Sequence, residues 1–269
     1  MLLDFGIEPE EFDEQKLIHW FYSDENYYLD KTTEGIFAPW AIYKSDFQKI
    51  GGHDPLYAPQ SKEDSDIFNR FQLAGYKFIQ TWEGFVYHMT CRGSRFKDGA
   101  KRNPNGEVFM KNRETDEWLK QNQRSTRNFI RKWGHFVKHD SLMKPIVTPK
   151  YDIGFVVENS NYDLLYELEP WCSTIYTDYA WEGYIRQEQK NTLFDLKDRV
   201  KPYDNEKNND IIVEFDAKNF KIKHMNIIAQ LSEIFSNDEL EVGNFELDIF
   251  KITVNGTKTY EKDLIKCIK

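Results

Sequence analysis

The chain has 269 residues, of which 40% are apolar and 16% aromatic, enough to build a packed core and too apolar for a disordered segment. Its three cysteines, Cys91, Cys172 and Cys267, are far apart with no CxxC pair, which argues against a disulfide framework or a zinc site and fits a reducing, cytoplasmic compartment. The net charge is −9, yet residues 92–139 hold 13 Lys and Arg against 5 Asp and Glu, a local +8 that can face phosphates or pack against acidic parts of the same chain.

No apolar run approaches the ~20 residues of a membrane span. The acidic start, MLLDFGIEPEEF, does not read as a signal peptide. Residues 9–22 predict a helix, with Pro9, Glu10 and Glu11 suited to its first turn. GIFAPWAIY, 35–43, reads as a buried strand interrupted at Pro39, and SDFQKIGG as a short helix stopped by glycines. A helix follows from about Lys62 to Ala74. Its apolar positions Ile67, Phe68, Phe71 and Ala74 keep a 3–4 spacing, Ser61 is the candidate N-cap with Asp64 in capping-box position, and Gly75 is the candidate stop. YKFIQ and GFVYH are strand candidates. The longest helical pattern spans 113–137, with Trp118, Leu119, Phe129, Ile130, Trp133 and Val137 on its apolar face.

KPIVTPK, 144–150, reads as a linker, giving an expected boundary between 1–143 and 151–269. Beyond it, strands YDIGFVV, STIYTD, DIIVEFD and a long NFELDIFKITV alternate with helices at NYDLLYELEPW, AWEGYIRQEQK and HMNIIAQLSEIF. That alternation predicts a small α/β layer, with α+β as the other possibility. Its first βα turn, Val157–Asn161, lacks the glycines that let a phosphate approach a backbone.

The chemistry-bearing stretch is GGHDPLYAPQSKEDSDIFNRFQLAGYKF, 51–78. It places Glu63 and Asp64 at a helix N-terminus, where the dipole favours the ionised carboxylate. An ionised carboxylate beside a hydroxyl can serve as a general base, and first-turn acids also serve simply as caps. His88, 24 residues after Asp64, can ligate a divalent metal or be a hydrogen-bonded structural residue.

The order FAPWAIYKSDFQKIGGHDPLY, KEDSDIFNRFQLAGYKF, FVYH over residues 35–90 resembles the acceptor-side half of the family 2 glycosyltransferases, inverting nucleotide-sugar enzymes of the GT-A fold. The resemblance implies a partial GT-A-like fold followed by the small α/β domain. It implies that Asp64 is the base, that Glu63 orients it, and that His88 helps hold a divalent metal, Mn or Mg. Asp54 of the GG-x-D turn becomes a candidate substrate contact, Trp40 either stacks on a sugar or acceptor or, the favoured reading, packs in the interior, and Arg92 and Arg95 could reach donor phosphates by their charge. Arg70 reads as structural.

The sequence departs from the family in three places. No nucleotide-binding strand-turn-helix opens the chain and no Asp-x-Asp metal motif precedes the glycine turn, His53 stands for the usual aromatic of that turn, and a QxxRW-like motif is absent. The reading is therefore a fragment of a longer glycosyltransferase, inactive alone, whose unpaired surfaces favour a homo-oligomer. The partners implied are a nucleotide-sugar donor and a glycan or other hydroxyl acceptor. The competing reading is a non-catalytic carbohydrate-binding or assembly module. Nucleic-acid binding through the basic block is the least favoured, because its aromatics lie on the apolar helix face.

Overall fold

The computed structural model describes residues 4–6, 9–23, 28–84, 86–87, 100–102, 108–110, 116–237 and 240–268. The chain forms two compact units that interleave along the sequence. The first gathers Met1–Ala41, Lys77–Lys120 and Ser141–Lys144, and the second Ile42–Tyr76, Gln121–Asp140 and Pro145–Lys269. The segment expected as a linker, 144–150, thus enters the second unit at Pro145, and Thr148 within it is buried.

In the first unit the 9–22 helix is split. A 3-10 turn, Pro9–Glu11, precedes α1 (Glu14–Phe21), because Asp13 accepts from Lys16 N at 2.9 Å and restarts the helix as its N-cap. Two short antiparallel ladders follow. β1 (Thr32–Thr33) pairs with β2 (Gln80–Thr81), and β3 (Ala100–Arg102) with β4 (Val108–Met110). The buried strand expected at 35–43 does not form. Pro39 has no N–H for a ladder, and Phe37 is 58% exposed. Of the strand candidates flanking Trp82, YKFIQ contributes the start of β2, while GFVYH lies partly outside the described residues and its Val86 is exposed.

The second unit starts with α2 (Lys44–Lys49), α3 (Glu63–Leu73) and, from Gln121 on, α4 (Asp116–Trp133). Its larger part is an α/β fold. Strands β5 (Ile153–Glu158), β6 (Thr174–Thr177), β7 (Val200–Pro202), β8 (Ile211–Asp216), β9 (Gly243–Leu247) and β10 (Phe250–Val254) form one sheet in the order β7-β6-β5-β8-β10-β9. The first four run parallel and β10 is antiparallel to both its neighbours.

Helices α5 (Tyr162–Leu168), capped by Asn161, α6 (Glu182–Glu188) and α8 (Ile222–Asn237) fall where the sequence reading placed them, and a short helix it did not anticipate, α7 (Leu196–Arg199), lies between α6 and α8. Phe155, Val157, Ile175, Val213, Phe250 and Ile252 fill the core with Leu165 and Leu168 of α5 and Ile228, Leu231 and Phe235 of α8. The long strand expected at 244–254 is a hairpin. Asp248 takes a left-handed φ of +54°, a conformation Asp tolerates, and turns the chain where adjacent apolar Ile249 and Phe250 shift the period-2 alternation by one residue.

Candidate functional site

The glycine turn and α3 are locked together by buried charge. Gly51 and Gly52 take φ of +88° and +68°, open to glycine and strained for other residues. Arg70, fully buried on α3, donates Nη1 to Ile50 O at 2.7 Å and Nη2 to Gly52 O at 2.5 Å, and its Nε meets Asp66 Oδ2 at 2.8 Å. Asp66 also accepts from Trp133 Nε1 at 3.0 Å and pairs with Lys132 Nζ at 2.7 Å. Lys132 in turn donates to Asp54 Oδ2 at 2.8 Å. Two carboxylates thus face two cations with their lone pairs filled, the condition under which buried ions are tolerated. Burial, then Asp66 and Asp54, push the Tyr57 phenol beside them well above its usual value.

This geometry corrects one assignment. Asp54, expected to contact substrate, is 2% exposed and its carboxylate is spent inside on Lys132 and on the N–H groups of Leu56 and Ile268. Arg70 has the structural role read from sequence.

Asp64 is exposed and Glu63 half-buried, both in the first turn of α3. The loop delivering them is stapled to α4. Arg124 donates to Ala58 O, Gln121 and Ser125 to Gln60 O at 3.0 and 3.1 Å, and Ser61 Oγ meets Asn122 Oδ1 at 2.7 Å. Ser61 is therefore not the N-cap. Lys62 holds that position with no side-chain cap, and both residues are left-handed, φ +79° and +75°. Two consecutive non-glycine residues in that region cost roughly 1–2 kcal/mol each, a strain that the α4 contacts sustain. Glu63 Oε2 is shielded from solvent and has no hydrogen-bond partner among the described residues. The far end of α3 follows the sequence reading. Gly75, at φ +80°, donates to Gln72 O and Tyr76 N to Phe71 O, a complete Schellman stop.

Trp40 is half-buried in the first unit. His88, Arg92 and Arg95 lie outside the described residues. Among the described residues no group of three or more His, Cys, Asp or Glu could hold a metal.

Three basic residues in the second half of α4, Arg127, Arg131 and Lys132, turn inward. Arg131 makes a bidentate contact with Glu169 and reaches Glu188 Oε1 at 2.6 Å, and Arg127 meets Glu188 Oε1 at 3.1 Å. Arg199 adds a 2.6 Å contact to Glu169. Burial would raise the Glu169 carboxyl, but Arg131 and Arg199 outweigh it and hold it far below the usual range. Sequence reading missed this network and the α4 staples. Polar side chains interleaved with Phe129, Ile130 and Trp133 on the last turns of α4 were the available signal.

At the sheet's switch point, between β5 and β8, ligands of doubly wound sheets bind beyond the strand ends. Here the N–H groups of Asn159 and Ser160 donate to Asp178 at 2.7 and 3.0 Å, so the chain's own carboxylate takes the donors a phosphate would use. Compared with family models, curated proteins and solved structures, the chain matches none of them.

Proposed function

We propose that this chain carries the acceptor-side half of an inverting glycosyltransferase site. The observation that supports it is the strained, stapled loop 58–62, which sets an exposed Asp64 beside a half-buried Glu63 on a helix anchored to the glycine turn. Strain maintained by surrounding contacts concentrates at functional sites. In this reading Asp64 removes the acceptor proton as the hydroxyl oxygen bonds the anomeric carbon. The bond from that carbon to the phosphate oxygen breaks, and the nucleoside diphosphate leaves with the electron pair. Glu63 orients the acceptor or Asp64. Trp40, Arg92 and Arg95 remain proposed substrate contacts and His88 a proposed ligand of a divalent metal. The remaining metal ligands and the donor pocket must come from outside the described residues.

A general base contributes about 10²–10⁴-fold to such a step. In an assembly that transfers sugar, Asp64→Asn lowers kcat by that order and leaves nucleotide-sugar binding intact. Unchanged turnover removes Asp64 as the base. A non-catalytic carbohydrate-binding or assembly module is the second reading. Tyr43, 81% exposed at the start of α2, offers a ring face for a sugar. Glycan binding indifferent to nucleotide and metal selects it.

A further inference from the structure

We propose that the C-terminal segment, residues 259–268, is a positioning strap that holds the acid-pair helix in register, and that this is a role of the C-terminal α/β layer in the site. The inference rests on the reading of Asp64 as the base.

The strap hangs from the sheet. Thr259 bridges Tyr151 just before β5, Tyr260 N donates to Lys150 O at 2.7 Å, and Tyr260 Oη donates to Asp210 Oδ2 at 2.8 Å. A 3-10 turn, Glu261–Ile265, then packs on α3. Leu264 and Ile268 fill in against Leu56, Tyr57, Phe129 and Trp133.

The last residues grip the glycine turn. Cys267 Sγ approaches Gly51 O at 3.3 Å and Gly52 O at 3.7 Å, and a Cβ on Gly51 would stand 3.1 Å from that sulfur. Ile268 N donates to Asp54 Oδ2 at 2.9 Å, the same oxygen that receives Lys132. The contacts close a ring: Ile268 to Asp54, to Lys132, to Asp66, to Arg70, to Gly52 O, to Cys267. Every link except the strap joins α4, α3 and the turn. The strap therefore ties that assembly to β5, and Asp64 sits six residues, nearly two helical turns, before Arg70 on the tied helix.

The decisive variant is Ile268→Pro, which removes both the N–H given to Asp54 and the side chain packed against the cluster that holds Trp133, the two contacts of the strap at this position, with Ile268→Val as the control that keeps both. Hydrogen exchange is followed on the full chain. The expected result is that amides of 51–75 exchange at least about tenfold faster in Ile268→Pro while β5 and β8 keep their rates and Ile268→Val matches the parent. Unchanged exchange over 51–75, or equal acceleration in the sheet, overturns the strap.

Where transfer is measured, Ile268→Pro lowers kcat at unchanged donor KM, since misplacing a reacting group by ~1 Å costs up to about 100-fold. A raised donor KM at unchanged kcat overturns the positioning role. Exchange needs no turnover, so it decides the strap even where unchanged turnover of Asp64→Asn in a transferring assembly removes the Asp64 reading.

Discussion

At the scale of single residues, burial separates acids that look alike in the sequence. Glu63, Asp64 and Asp66 stand within four positions, yet Asp66 is wholly buried and ion-paired while Asp64 is exposed. Their shared helical turn was legible from spacing. Which of them faces water was not, because it depends on Lys132 and Trp133, brought in by α4 from 66 and 67 residues away. His135 is a second residue whose behaviour only packing defines. It is 1% exposed among Phe129 and Trp133, with no partner for Nε2 among the described residues. Burial, with Lys138 and Lys150 nearby and Phe136 O opposing, lowers its pKa to about 4. The unfolded chain takes up this proton below about pH 6.5 and the folded chain only near 4, so the site loses stability as pH falls through that window. Urea unfolding of the parent should show a decline between pH 6.5 and 4 that is larger than that of His135→Phe by an amount on the order of 3 kcal/mol. Equal slopes in the two proteins would show that His135 does not titrate this way.

At the scale of elements, spacing read helices well and strand pairing poorly. The 3–4 pattern and the glycine stop located α3, and the Schellman bonds at Gly75 explain why the stop works. A Cβ at Gly75 meets nothing within 4 Å, so Gly75→Ala tests backbone conformation alone. It should destabilise the chain by about 1–2 kcal/mol in denaturant unfolding, the cost of a left-handed non-glycine residue. A neutral substitution would mean that the stop is held by neighbours instead. The start of α3 escaped the same reasoning. Ser61 has the right chemistry for a cap, but Asn122 competes for its hydroxyl and the loop enters α3 left-handed. The stretch 35–43 has strand composition and no partner strand among the described residues, and composition carries no information on partners.

At the scale of the whole molecule, the chain folds as two interleaved units and no described helix is long and apolar enough to cross a membrane. Sheet edges invite association when their hydrogen-bonding groups are unpaired. Strand β9 ends the sheet and is exposed except at Leu247. We keep self-association as a proposal on that ground, and static light scattering checks it. A mass at or above twice 32.1 kDa agrees, and a monodisperse monomer removes it.

The sequence by itself determined the positions of the longer helices α3, α4 and α8, the βα alternation of the C-terminal layer and the order of glycine turn, acid pair, arginine and closing glycine, since each is written in neighbouring residues. Only the tertiary structure decided that Asp54 and Asp66 are structural while Asp64 stays open, that the basic helix neutralises acids of its own chain, and that the last residues reach back to the glycine turn. Those outcomes depend on contacts between residues as far apart as Cys267 and Gly51, separated by 216 positions, and local periodicity does not encode which distant partner will desolvate a charge.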